Sequence, residues 1–157
     1  MRIGLGFDSH FLKRKRGIIT LGGVKIQSKF SVVAHSDGDV IAHALIDAIA
    51  PLYLGSSIGE LYSDKDESAR GSDSMKRLKD VYVKASSPEI INIDIVVQTD
   101  DVYIASIADA IKRNIACCFG IEPSAVGIKG KTLEGLRARW LWGGGHSIRV
   151  YAVVLAR

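Results

Sequence analysis

The chain predicts a single mixed α/β domain of the α+β kind, with one mixed sheet carrying helices on one face and spanning residues 1–157. Three observations carry that reading. Stretches that alternate apolar and polar residues with a period of two are interspersed with stretches whose apolar residues recur every three or four. The run Ile93-Asp94-Ile95-Val96-Val97 is almost continuously apolar, as a strand covered inside a sheet would be. Finally, 157 residues with 47% hydrophobic and 24% charged content suffice for one well-filled core and fall short of two.

Taken in order, residues 2–12 and 18–27 read as strands around the basic cluster Lys13-Arg14-Lys15-Arg16, with Gly22-Gly23 interrupting the second as a bend or bulge. The cluster most simply decorates a hairpin tip. A polar turn from His35 to Gly38 leads into a helix over about 38–50, capped by Ser36 or Asp37 and stopped or kinked by Pro51. The Gly-, Ser- and charge-rich stretch 54–67 reads as a long surface loop, a frequent home of function. Ser72 or Asp73 caps a second helix to about 86, with Met75, Leu78, Val81, Tyr82 and Ala85 on one side. A strand over 90–99 follows, then a helix over 102–119 with Ile104, Ile107, Ile111, Ile115 and Cys118 as its apolar stripe and Gly120 at its end. Strands over 125–132 and 147–156 close the chain, separated by an irregular segment, 134–146.

No apolar run is long enough to cross a membrane and no targeting segment is visible, so a cytoplasmic protein is expected. The two cysteines, Cys117 and Cys118, are adjacent in a helix, poorly placed to pair with each other, and read as small core residues of a reducing compartment. A formal net charge of +4 is modest. The basic cluster leaves a nucleic-acid-binding module as a distant rival; such a module would want aromatic side chains along a sheet face, and the strands offer little beyond Phe7 and Phe11.

Chemistry concentrates in residues 34–47, which hold two histidines and three carboxylates. Asp39, His43 and Asp47 are four apart and share a helical face, an imidazole flanked by two acids. In the first strand Asp8 and His10 are two apart and point the same way. Two donors on a strand and one on a helix make a three-point metal site with one coordination position left open, which suits catalysis by Zn²⁺. The same two-histidine, one-carboxylate set suits Fe(II), although the helical segments disagree with the all-β scaffolds that often host it. Beside such an ion, His35, Ser36, Arg70 and helix-opening N–H groups would favour the oxygens of a phosphorylated substrate. Spacing offers no nucleophile with its base, so the attacking group must come from the substrate or from water.

The blocks Arg2-Ile3-Gly4-x-Gly6-Phe7-Asp8-x-His10, Leu21-Gly22-Gly23-Val24, Ala34-His35-Ser36-Asp37-Gly38-Asp39-Val40-x-x-His43-Ala44-Leu45-x-Asp47-Ala48, Ser63-Asp64-x-Asp66 and Gly71-Ser72-Asp73-Ser74 strongly resemble the 2-C-methyl-D-erythritol 2,4-cyclodiphosphate synthase family. The resemblance implies a homotrimer with active sites between subunits. It also implies conversion of 4-diphosphocytidyl-2-C-methyl-D-erythritol 2-phosphate to the cyclic diphosphate and CMP, the substrate's own 2-phosphate attacking the β-phosphorus. By matching positions, Asp8, His10 and His43 would hold Zn²⁺, and Glu134 would help hold Mg²⁺ or Mn²⁺ between the phosphates. His35 and Thr132 would be catalytic, stabilising charge at phosphorus. Asp8, His10, His35, Ser36, Ser57, Ile58, Gly59, Tyr62, Ser63, Asp64, Lys65, Asp66, Lys131, Thr132, Leu133 and Glu134 would line the substrate site.

Departures from the family pattern cluster on the nucleotide side. Ser57 stands where an aspartate is usual, Gln98-Thr99-Asp100-Asp101 replaces a Gln-Ala-Pro-Lys type of turn, Lys131-Thr132-Leu133-Glu134 replaces a Thr-Thr-Thr-Glu run, and 136–145 lacks the usual Gly-Phe-x-Gly-Arg pattern, with Arg137 or Arg139 as a substitute for its arginine. A metal-dependent enzyme of the same fold with another phosphorylated substrate is therefore the second reading.

Overall fold

A computed structural model of the chain describes residues 1–34, 36–62, 71–133 and 146–157. Strand β1 (Arg2–Lys13) is followed by β2 (Gly17–Leu21), β3 (Val24–Ser28) and the short β4 (Ser31–Val32). Helix α1 (Val40–Tyr53), the single turn α2 (Ile58–Leu61) and α3 (Ser74–Lys84) come next, then β5 (Ile90–Gln98), α4 (Ala108–Phe119), β6 (Val126–Lys131) and β7 (His146–Ala156). Five strands make one mixed sheet in the order β4-β1-β7-β5-β6, and β2 with β3 makes a separate two-stranded ribbon. Among the described strands only the β5–β6 pair is parallel, as expected when a helix supplies the crossover.

Two glycines decide where α1 lies. β1 alternates so that Gly4 and Gly6 are buried on one face while Ile3, Leu5 and Phe7 are exposed on the other. A Cβ on Gly4 would sit 1.8 Å from the carbonyl oxygen of Ala48, and one on Gly6 1.8 Å from that of Ala44. The helix backbone thus rests directly on the strand, and α1 also packs on β7 and α3. Its buried residues, among them Ile41, Leu45, Ile46 and Ile49, meet Ile93, Ile95, Ile148 and Val150 of the sheet in one core. At roughly 1.5–3 kcal/mol for each large side chain buried, this layer rather than helix propensity holds α1 in place.

Asp39 anchors the start of that helix. Its Oδ1 accepts from the N–H groups of Ile41 and Ala42, capping α1, and also from Gly22, while Oδ2 accepts from Gly23 at 2.7 Å. The cap is therefore Asp39 and not Ser36 or Asp37, and the helix begins at Val40. Nor does Asp39 belong to a solvated carboxylate face beside His43. It is fully buried, and burial pushes its pKa up even though the N–H groups of Gly23, Gly22 and Ala42 pull it down. Asp39→Ala is expected to cost about 3 kcal/mol, the sum of a lost cap and two buried N–H groups left without a partner; equilibrium urea unfolding reads it directly.

Other boundaries differ for local reasons. Gly22 and Gly23, both at positive φ (55° and 76°), form the two-residue turn of the β2–β3 ribbon, so the expected strand 18–27 is two strands. β1 pairs with β4 and β7 and not with β2, so the exposed cluster Lys13–Arg16 joins two sheets instead of tipping a hairpin. Pro51 lies inside α1, which runs on to Tyr53. The expected helix over 102–119 is a 3₁₀ turn, Ile104–Ser106, followed by α4, with the break at Ile107; Gly120, left-handed at φ 70°, ends it as expected. Cys118 is buried and its thiol is pushed up to about 11 by that burial, Cys117 is exposed, and both are free. Segment 134–145 lies outside the described residues.

Candidate metal centre and substrate cleft

Asp8 and His10 follow Gly4 and Gly6 on the helix-facing side of β1, and His43 projects from α1 one residue before Ala44, whose carbonyl the strand touches. Strand alternation and the strand–helix contact therefore bring the three side chains together. Asp8 Oδ2 lies 3.0 Å from His43 Nδ1 and 3.3 Å from His10 Nε2, and the three donor atoms lie within 4.8 Å of one another. Ligands about 2.0–2.1 Å from a tetrahedral zinc ion are separated by about 3.4 Å, so the donors need only small movements to hold such an ion, and their types suit it. Among the described residues this is the one such cluster.

The side chains are partly dry, with 12% of His43, 17% of His10 and 25% of Asp8 exposed. Burial by itself would raise the pKa of Asp8, but the hydrogen bond from His43 and the charges of His10 and His43 outweigh it and hold the carboxyl below its usual value, in the ionised form a metal needs. On the far side of the His43 ring, Nε2 lies 3.0 Å from Ser74 Oγ and 3.2 Å from Ser36 Oγ.

The second carboxylate expected beside His43 has a different task. Asp47 Oδ1 accepts from the N–H of Ile58 at 2.8 Å, which fixes the start of α2 one turn along α1 from the histidine. Desolvation raises its pKa, and repulsion from Asp8 adds to that. Ser57, just before α2, gives its N–H and hydroxyl to Glu60, and a Cβ added to Gly59 would point into open space. The ring of Tyr62 is covered by Arg77, 4.8 Å from its centroid. Ser57, Ile58, Gly59 and Tyr62 are thus held near the metal side of the domain through Asp47. His35, Ser63, Asp64, Lys65, Asp66, Arg70 and Glu134 lie outside the described residues.

Lys131 and Thr132 lie elsewhere. With Thr99, Val102, Tyr103, Ile104 and Gly130 they line a cleft of about 160 Å³ at the ends of β5 and β6. Leu133 is buried and gives its N–H to Asp100 Oδ1, and Asp101 Oδ1 pairs with His146 Nδ1 at 2.7 Å. Both acids of the unusual turn 98–101 therefore tie it to neighbouring segments, exposed Asp100 to the residue after β6 and half-buried Asp101 to β7. Sheet register places Ser9, Arg149, Gln98 and Lys131 in one row across four strands. At about 4.8 Å per strand, the cleft is roughly 14 Å sideways from the metal triad.

Sequence reasoning gave Asp37 only a capping role and gave Ser74 none. The signal for Ser74 was the Gly71-Ser72-Asp73-Ser74 block at a helix start, where Asp73 is indeed the cap.

The YgbB family model matches residues 1–157. A 2-C-methyl-D-erythritol 2,4-cyclodiphosphate synthase of Caldicellulosiruptor bescii is 37% identical over 156 residues, covering 98% of this chain and 97% of the relative. The enzyme of that name from Halothermothrix orenii is 40% identical over 138 residues, 87% of this chain and 83% of its own length. A solved structure titled as this synthase in its CDP-bound form superposes with a TM-score of 0.85 at 32% identity, covering 99% of this chain and 100% of the other.

Proposed function

This chain belongs to the YgbB family, whose relatives here are 2-C-methyl-D-erythritol 2,4-cyclodiphosphate synthases, and we propose that it closes the cyclic diphosphate with release of CMP. The substrate is 4-diphosphocytidyl-2-C-methyl-D-erythritol 2-phosphate. An oxygen of its 2-phosphate forms a bond to the β-phosphorus, the bond from that phosphorus to the bridging oxygen breaks, and the oxygen leaves with CMP. No protein nucleophile is required, in keeping with a sequence whose spacing sets no nucleophile beside its base. Catalysis then rests on positioning and on charge stabilisation.

The Asp8–His10–His43 triad is the observation that carries this reading. These residues would hold Zn²⁺, and Glu134 a Mg²⁺ or Mn²⁺ ion. Such ions supply neutralisation of phosphate charge and polarisation of the P–O bonds. Ser36 and the segment from Ile58 to Asp66 orient the erythritol phosphate, His35 and Thr132 stabilise charge developing at phosphorus, and the cleft at Thr99–Ala105 receives the base.

The separation of roughly 14 Å between triad and cleft supports a site completed by a second copy of the chain. So does the uncovered apolar face, where Ile3 (70% exposed), Leu5 (68%) and Phe7 (47%) stand beside Tyr151 and Val153. A homotrimer, with one subunit's triad facing another's cleft, satisfies both. No described helix is long and apolar enough to cross a membrane, and a cytoplasmic location fits the substrate.

The test is CMP release followed by chromatography. Purified protein is expected to form CMP and the cyclic diphosphate with Zn²⁺ and Mg²⁺ present, to stop on exhaustive chelation and to resume when both ions return. Absence of CMP under metal-replete conditions rejects the assignment. The altered turn holding Asp100 and Asp101 favours checking base selection separately. Calorimetric titration is expected to show CDP binding ahead of the other nucleoside diphosphates, and equal binding of all would point to the same fold with another phosphorylated substrate.

A further inference from the structure

The hydroxyl that meets the far side of the His43 ring belongs to Ser74, which is fully buried at the first residue of α3. Ser74 Oγ is also in hydrogen-bond contact with Asp37 Oδ1, and Asp37 Oδ2 accepts from the Ser74 N–H at 3.2 Å. A carboxylate oxygen can only accept, so the single hydroxyl proton of Ser74 is committed to Asp37. What Ser74 presents to His43 is then a lone pair, 3.0 Å from Nε2. Ser36 Oγ, which accepts from the Gly38 N–H at 3.1 Å, lies on the same side of the ring.

We propose that Ser74 and Asp37 are positioning residues that hold His43 in its Nε2–H tautomer, with the Nδ1 lone pair directed at the metal position. The reasoning is a proton count. In the structure Nδ1 also lies 3.0 Å from the Asp8 carboxylate, to which it can donate; once a cation takes the place of that proton, a neutral ring keeps its proton on Nε2, where the Ser74 lone pair receives it. Asp37, relayed through the serine hydroxyl, also makes the ring a stronger donor to a cation, as carboxylates behind metal-bound histidines do. Because Asp37 lies two residues before Asp39 and Ser74 opens α3, the starts of two helices are tied at the metal centre. This inference rests on the metal-site reading above.

Zinc affinity by chelator competition and ¹⁵N–¹H spectra of labelled histidine, recorded on the zinc-loaded protein, Ser74→Ala and Asp37→Asn, decide the matter. The wild type is expected to show His43 protonated at Nε2 and metal-bound at Nδ1. Ser74→Ala is expected to bind zinc about 10- to 100-fold more weakly, and Asp37→Asn about 10-fold. A solely structural role would lower the melting temperature while leaving zinc affinity and the His43 signal in place, and would overturn the proposal. So would a wild-type spectrum with His43 metal-bound through Nε2. Should Ser74→Ala not fold, Asp37→Asn and the wild-type spectrum still decide it. Failure of the wild type to bind zinc would overturn the metal-site reading first and this one with it.

Discussion

His43→Ala is expected to lose most bound zinc and to release CMP about a thousandfold more slowly than the wild type, or worse, a barrier increase of about 4 kcal/mol. The reason is geometric. Asp8 and His10 sit two residues apart on one strand and provide two donors from one side; His43 alone supplies a donor from the opposing layer. Alanine is the best helix former and the histidine side chain contributes little to the core, so the melting temperature should hardly move. Metal analysis after dialysis, beside a steady-state assay, reads both expectations. Bound zinc equal to that of the wild type would show that His43 is not a ligand.

Gly6→Ala is expected to do the opposite, acting first on the fold and through it on the metal. Its methyl would lie 1.8 Å from the Ala44 carbonyl oxygen and 2.7 Å from the Ala48 nitrogen, both backbone atoms that cannot rotate aside. α1 must lift from β1, at a cost of about 3 kcal/mol or more, and His43 moves with its neighbour Ala44. Reduced stability in urea together with weaker zinc binding is the expected pair of results. Gly59→Ala, where nothing lies within 4 Å, should leave stability within about 0.5 kcal/mol. An unchanged midpoint for Gly6→Ala would mean that the strand–helix contact is looser than described.

Much of the metal centre was legible because it rests on local periodicity. The spacing of two on a strand places Asp8 and His10 together whatever the rest of the chain does, and an isolated helix still projects His43 from one face. Spacing was misleading for Asp39, and for Asp47 it gave the neighbour His43 but not the bonding partner. Periodicity assigns a face but not a partner, and the partners of these acids are backbone N–H groups of the Gly22-Gly23 turn and of Ile58, contributed by distant parts of the chain. Pro51 and Gly22-Gly23 show the same limit. A proline ends a helix only when packing does not carry it further, and two glycines make a turn or a bend depending on whether the flanking segments pair. The acids of turn 98–101 were read as departures from a pattern, while their partners Leu133 and His146 became visible only with the sheet assembled.

The metal-bearing strand pairs along most of its length with β7, from Arg2 opposite Ala156 to Leu12 opposite His146, so residues 134 to 154 positions apart must find one another. Its other partner, β4, contributes only two pairs. During synthesis, Asp8 and His10 are made early and α1 soon after, but the strand that carries the two ligands has only its two pairs with β4 until the last strand emerges. Loop closure of that size is slow, and chains with such distant contacts fold on the slower end of the range for their size. The metal centre is therefore among the last parts of the molecule to form, and a chain truncated before β7 would lack it even though every one of its ligands had been translated.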